Sequence, residues 1–209
     1  IRSGGDKKDV ERLLHPKLLS GLDDLREKVS FIFHAPLSTA KRSPFKRFYT
    51  QALDTAKESF NLLTPYYVPD RQFLKLVSQA KRRGVKINII LPWKTDLRIM
   101  QYMATMFYGI SAKAGAAFYF LRKMNHGKAL SMDNRLGMVG SANLTPRSFY
   151  INQEAGVTFT HEQMVEELNH ILDDWKNEAV PFTDLGFGGK RGWYGKFKDW
   201  WLNKLHDYV

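Results

Sequence analysis

One short stretch of the chain concentrates side chains that can do chemistry. It reads His126-Gly127-Lys128-Ala129-Leu130-Ser131-Met132-Asp133, followed after a gap by Gly140-Ser141-Ala142-Asn143. On a β-strand, positions two apart face the same side. His126 and Lys128 therefore project together, and Ser141 and Asn143 do so on the next strand. If those faces coincide, an imidazole, an ammonium, a hydroxyl and an amide share one site with no carboxylate among them. That set suits a phosphoryl group. Lys128 and Asn143 donate to non-bridging oxygens, with the Ser141 hydroxyl beside them, and His126 attacks phosphorus or moves a proton. Asp133 lies an odd number of residues from Lys128, at a turn. Parity points it away from the cluster, towards a structural or orienting role.

The elements around this stretch must hold it in place. Val29-Ser30-Phe31-Ile32-Phe33 is a β-rich run stopped by Pro36. Phe45, Phe48, Ala52 and Ala56 recur at helical spacing behind Pro44, a good first-turn residue. Residues 59–63 form a strand running into Thr64-Pro65-Tyr66-Tyr67-Val68-Pro69-Asp70, where two prolines forbid a central strand. Asp70 caps a helix over 71–83, closed by Gly84. A strand over 85–91, a helix from Asp96 to about Lys113 and a strand over 116–121 continue the alternation. Such alternation implies a largely parallel sheet covered by helices.

The pattern then changes to strands at 126–132 and 136–142 around a tight turn at Asp133-Asn134, a strand at 154–160 and a helix over 162–177. The expected class is α/β, a mixed and mostly parallel sheet with helices on both faces. Two regions are expected: residues 1–180 as the catalytic domain and 181–209 as an aromatic and basic tail. Residues 1–28 read as an irregular arm with a short helix near Leu18–Lys28.

Composition bounds the partners. The 209 residues carry 32 Lys and Arg against 21 Asp and Glu, a formal charge of +11. That excess favours polyanions: nucleic acid, phosphorylated substrates or acidic lipid. With no cysteine there is no disulfide, thiolate metal site or Cys nucleophile. His15, His34, His161, His170 and His206 show no close metal-ligand pairing. No apolar run is long enough to span a bilayer. The first residue is Ile1, so the chain reads as a fragment or a processed form.

His126-x-Lys128-x4-Asp133-x6-Gly140-Ser141-x-Asn143 is similar to the HKD motif of the phospholipase D superfamily, complete in residue type and spacing. The Thr64–Asp70 run, the Arg83-Gly84-Val85 step into Leu91-Pro92, and Arg147-Ser148-Phe149 with Asn152 and Glu154 resemble the C-terminal catalytic half of bacterial cardiolipin synthases. Ser3-Gly4-Gly5-Asp6 resembles the segment opening that half, so the likeness covers roughly residues 1–178. Gly127 stands where Ala is common, Thr145-Pro146 replaces an expected Asp-containing pair, and Gln153 replaces an aromatic.

The resemblance implies an enzyme that transfers a phosphatidyl group between alcohols, with phosphatidylglycerol as substrate, through a phosphohistidine and with no metal or cofactor. One histidine attacks phosphorus; a second protonates the leaving alcohol and deprotonates the incoming one. His126, Lys128 and Asp133 carry the motif, and Glu154 matches the glutamate that orients the imidazole. Such sites need two HKD motifs. The second comes from an N-terminal half absent from this chain or from a second copy. The cardiolipin-synthase features favour the former, with His126 as general acid/base. Tyr66 lies past the strand ends where open α/β sheets bind ligands, or simply fills the sheet edge. The implied setting is the surface of a bacterial inner membrane, with anionic phospholipid as partner.

In the tail, Trp193, Phe197, Trp200, Trp201, Leu205 and Tyr208 recur at helical spacing with lysines on other faces. That is the pattern of an interfacial membrane helix or of a helix docked on protein. The alternative function is a metal-independent phosphodiesterase acting on nucleic acid as an HKD homodimer, which has no need of such a helix.

Overall fold

The computed structural model describes residues 28–35 and 43–185. The tail beyond residue 185, the arm over residues 1–27 with the helix expected near Leu18–Lys28, and the Ser3–Asp6 segment lie outside the described residues. The elements run β1 (Val29–His34), α1 (Pro44–Thr55), β2 (Ser59–Leu63), α2 (Arg71–Arg82), β3 (Lys86–Pro92), α3 (Arg98–Ala114), β4 (Ala116–Leu121), β5 (Ala129–Met132), β6 (Leu136–Gly140), α4 (Pro146–Tyr150), β7 (Glu154–Phe159), α5 (Glu162–Glu178) and β8 (Val180–Pro181).

Local signals account for most boundaries. Ser43 accepts a hydrogen bond from the Lys46 amide at the start of α1, with Pro44 in the first turn. Asp70 caps α2 by accepting from the Phe73 amide at 2.8 Å, and its other oxygen takes the Lys46 ammonium at 2.6 Å. α3 ends at Gly115, whose φ of 119° is a left-handed conformation that a β-carbon disfavours.

One eight-stranded sheet has the order β1-β7-β6-β5-β2-β3-β4-β8. Parallel pairing is confined to β2–β3 and β3–β4. The pairs β1–β7, β2–β5, β4–β8, β5–β6 and β6–β7 are antiparallel. The mixed α/β class stands, but the sheet is less parallel than the βα alternation implied. β5 and β6 are joined by the tight turn at 133–135, which permits only antiparallel neighbours, and β7, reached through the 141–153 segment that carries α4, returns antiparallel beside β6.

Two cores result, one on each face. Phe45, Tyr49 and Leu53 of α1, Phe73 and Val77 of α2 and Tyr108 of α3 pack on Phe60, Leu62, Ile89, Phe118 and Leu130. On the opposite face α5 lays Val165, Leu168 and Leu172 on Leu63, Ile90, Ala129 and Phe159. Each of these large side chains contributes about 1.5–3 kcal/mol by leaving water. The shifts of strand and helix period in the sequence correspond to these two surfaces.

One consequence of the topology positions the site. The parallel strands β2 and β3 end at Leu63 and Pro92. At that same edge β5 begins, β6 ends, β7 begins and β1 ends, since Leu63 pairs with Ala129, Gly140 with Gly156 and His34 with Glu154. All the loops that carry the candidate residues therefore open on one rim.

Candidate active site

His126 and Lys128 do not lie on a strand. Residues 124–128 have no regular secondary structure and lead into β5, which starts at Ala129. Likewise β6 ends at Gly140, so Ser141 and Asn143 sit in the loop beyond it. The two segments are nonetheless tied together, because the Gly140 amide donates to the Lys128 carbonyl at 3.1 Å and the Ser141 amide to the Ala155 carbonyl at 2.9 Å. A β-carbon on Gly140 would lie 2.8 Å from the Ala155 carbonyl oxygen and 2.9 Å from the Gly156 Cα. Backbone approaches backbone too closely there for any side chain, which explains the glycine of the motif.

His126 is exposed at the rim, while Lys128 is buried with 9% of its surface accessible. The Lys128 ammonium donates to the His126 carbonyl at 2.7 Å. Burial pulls the Lys128 pKa below the usual lysine value, and the carboxylates of Glu154 and Asp96 oppose that pull. Asn143 is buried, with its Oδ1 facing the Thr64 hydroxyl at 3.4 Å and its own amide N–H donating to Ser148 Oγ at 3.1 Å. Its side-chain Nδ2 makes no bond among the described residues and remains available as a donor. The loop that carries it is pinned by Tyr49, whose hydroxyl donates to the Ala142 carbonyl at 2.9 Å, and by the Val68 amide, which donates to the Leu144 carbonyl at 2.8 Å.

Ser141 donates to the buried carboxylate of Glu154 and accepts from the Ala155 amide at 3.0 Å. Asn152 Nδ2 donates to the other Glu154 oxygen at 3.3 Å. Glu154 thus orients Ser141 and acts electrostatically on Lys128; its hydrogen bonds do not include His126. Asp133 is at the far end of β5. Its carboxylate accepts from the amides of Lys57, Glu58 and Ser59 at 2.9, 2.8 and 2.9 Å. Burial works against its charge, yet the three amides at the head of β2 outweigh it and hold the carboxyl below the ordinary aspartate range. It is a positioning residue that fixes β5 against β2, and it stands in the αL turn with Asn134, both at φ 52°.

Tyr66 is in the site and Tyr67 is in the core. The Tyr67 hydroxyl donates to Ser111 Oγ at 2.9 Å, fully buried. The Tyr66 ring stands edge-on to the His126 imidazole, with centroids 5.8 Å apart at 83°. Its hydroxyl donates to Asp96 Oδ1. Burial and then Asp96 push the Tyr66 pKa up to about 12, so the hydroxyl stays protonated. Asp96 is a residue that sequence reasoning placed at the start of a helix. The structure sets it just ahead of α3, in the loop after β3, and the clue available was its position past a strand end. His34, at the end of β1 opposite Glu154, is buried, and its Nε2 has no partner among the described residues.

A rim that offers an ammonium, an amide and an imidazole can hold a phosphoryl group and move a proton beside it. Among the described residues no three His, Asp or Glu side chains gather closely enough to hold a metal ion. None of the described helices is long and apolar enough to cross a membrane.

Comparison with known proteins gives the same class. The family model of the cardiolipin synthase phospholipase D-like domain matches residues 49–175. The chain is 34% identical over 158 residues to cardiolipin synthase B of Escherichia coli, covering 75% of this chain and 38% of that protein. It is 28% identical over 143 residues to minor cardiolipin synthase ClsB of Bacillus subtilis, covering 67% and 36%. Among solved structures, the phospholipase D family member Nuc from Salmonella typhimurium superposes with a TM-score of 0.58 at 21% identity, covering 74% of this chain and 97% of that one. Phosphatidylserine synthase from Haemophilus influenzae gives 0.56 at 13% identity, covering 74% and 40%. The chain belongs to the cardiolipin synthase family of the phospholipase D superfamily, a superfamily of enzymes. It spans about a third of the length of the curated relatives it matches.

Proposed function

We propose that this chain is a catalytic half of a phosphatidyltransferase of cardiolipin-synthase type, and that it works with a second HKD motif. The observation that carries this reading is the joint placement of His126, Lys128 and Asn143 on one rim, within a chain whose relatives are named cardiolipin synthases. Lys128 and the Asn143 amide would hold the non-bridging oxygens of a phosphatidyl group, and Ser141, held by Glu154, would line the same pocket. The histidine of the second motif would attack phosphorus. The P–O bond to the leaving alcohol breaks as His126 gives that oxygen a proton. The incoming alcohol then loses its proton to His126 as its oxygen takes the phosphatidyl group from the phosphohistidine. The exposure of His126 supports an acid/base role, because both alcohols must reach it.

The second motif would come from the remainder of a longer protein, in keeping with the share of the relatives' length that this chain spans. The membrane surface would be the bacterial inner membrane, with anionic phospholipid as partner and residues 190–209 of the tail as contact. The solved structures share the fold alone at these identities, so they lend no weight to nucleic acid as substrate. The test is to supply the purified full-length protein with phosphatidylglycerol vesicles and, separately, with DNA. Release of glycerol with formation of diphosphatidylglycerol supports the reading. DNA cleavage without lipid turnover refutes it.

A further inference from the structure

Asp96 is a carboxylate in a place built to collect negative charge. Lys128 and Asn143 recruit phosphoryl oxygens, yet the field of Asp96 reaches both Lys128 and His126. A carboxylate there repels the group being transferred, so its presence calls for a separate partner. Its position is held firmly. Asp96 Oδ1 accepts from the Tyr66 hydroxyl and from the Leu97 amide at 3.1 Å, while the Tyr66 ring rests edge-on against His126. Tyr66 therefore acts as a spacer, with its ring on the imidazole and its hydroxyl on the carboxylate.

Asp96 Oδ2 makes no bond among the described residues, and Asp96 itself is exposed. No ion pair joins Asp96 to His126 directly among the described residues. The carboxylate and the acid/base histidine thus both meet Tyr66, and Asp96 Oδ2 carries no bond among the described residues. A ligand group that reaches this oxygen must donate a hydrogen bond. A cationic group is disfavoured there by the ammonium of Lys128. A neutral hydroxyl fits, since an ionised acceptor forms a strong bond with it.

We infer that Asp96 Oδ2 accepts a hydrogen bond from a non-reacting hydroxyl of the acceptor alcohol, so that the site selects a polyol over a simple alcohol. The inference rests on the phosphatidyl-transfer reading above and names its acceptor determinant. The reacting hydroxyl would then lie at His126 and its neighbour at Asp96, with Tyr66 setting the separation.

The experiment is a competition. Purified full-length protein on phosphatidylglycerol vesicles receives carbon-13-labelled glycerol and 1-propanol together, and labelled phosphatidylglycerol and phosphatidylpropanol are measured by mass spectrometry. A ratio taken in one tube is independent of how much of a variant is folded. The wild type should favour glycerol. Asp96→Ala should lower the glycerol-to-propanol ratio about tenfold or more. Asp96→Asn, which keeps the shape, should lower it less, and Tyr66→Phe should move it in the same direction by freeing the carboxylate to swing. An unchanged ratio in Asp96→Ala or Asp96→Asn overturns the inference, as does ethanolamine outcompeting glycerol in the wild type. If the wild type yields no phosphatidyl product with any alcohol, the phosphatidyl-transfer reading itself fails.

Discussion

The Lys128 ammonium donates to the backbone carbonyl of His126 at 2.7 Å, so the motif lysine is tied directly to the main chain of the motif histidine. An ammonium carries three hydrogens. One is committed to that carbonyl, which leaves two for phosphoryl oxygens. Lys128→Ala should therefore lower kcat by about two to three orders of magnitude. Lys128→Arg should not restore it, because a planar fork cannot keep the carbonyl bond and the same two donors in a buried site. Because burial lowers the Lys128 pKa, the loss of activity at alkaline pH should begin below the ordinary lysine range. A pH–rate profile on the full-length protein checks this, and full activity with Arg would reduce Lys128 to a diffuse charge.

Asp133 is predicted to matter for stability and only indirectly for chemistry. Its carboxylate satisfies three amides at the head of β2, so Asp133→Ala should cost about 1–3 kcal/mol, a figure kept modest because the site is partly solvated. The sign of the pH dependence follows from its lowered pKa. The stabilisation is complete above the unfolded-state aspartate pKa and is lost as pH falls through the lower folded value. Urea unfolding of both proteins should show the gap between them closing in acid. A gap that persists unchanged at low pH would contradict the assignment.

The contrast between Asp133 and Asp96 shows where sequence reasoning reaches and where it stops. Asp133 was legible because period-two parity and turn chemistry are local, and the Asp133-Asn134 turn has both residues at φ 52°. Asp96 was not, since its meaning comes from Tyr66, thirty residues earlier, and no periodicity links two loops. The same limit applies to the sheet. The strands and helices were readable from their periods, but the insertion of β5, β6 and β7 between β2 and β1 depends on long-range pairing. α4 was missed because five residues are too short to show a helical period, although Thr145 caps it and Pro146 opens it. His126 and Lys128 were placed on a strand that begins at Ala129, one residue past the motif lysine. The rim they share comes from strand order, which spacing along the chain does not encode.

Metal independence is a further expectation. In the proposed reaction Lys128 and Asn143 would meet the phosphoryl charge and histidine would take the acid/base role. Activity of the full-length protein with excess chelator should equal that without it. A strict requirement for an added divalent cation at the chemical step would contradict the histidine mechanism.

The tail gives a test of the membrane setting. Deleting residues 190–209 should weaken sedimentation with anionic vesicles, since each lysine near an acidic surface contributes about 1 kcal/mol and the aromatic face adds more. Lipid binding that survives the deletion would remove the tail from the account.

The central claim is that His126 moves the proton in phosphatidyl transfer. The direct measurement is turnover of phosphatidylglycerol to diphosphatidylglycerol by purified full-length protein, wild type against His126→Asn, with folding checked by thermal unfolding. The account predicts a folded variant whose kcat is lower by at least about two to four orders of magnitude. A folded variant that turns over phosphatidylglycerol at close to the wild-type rate would contradict it.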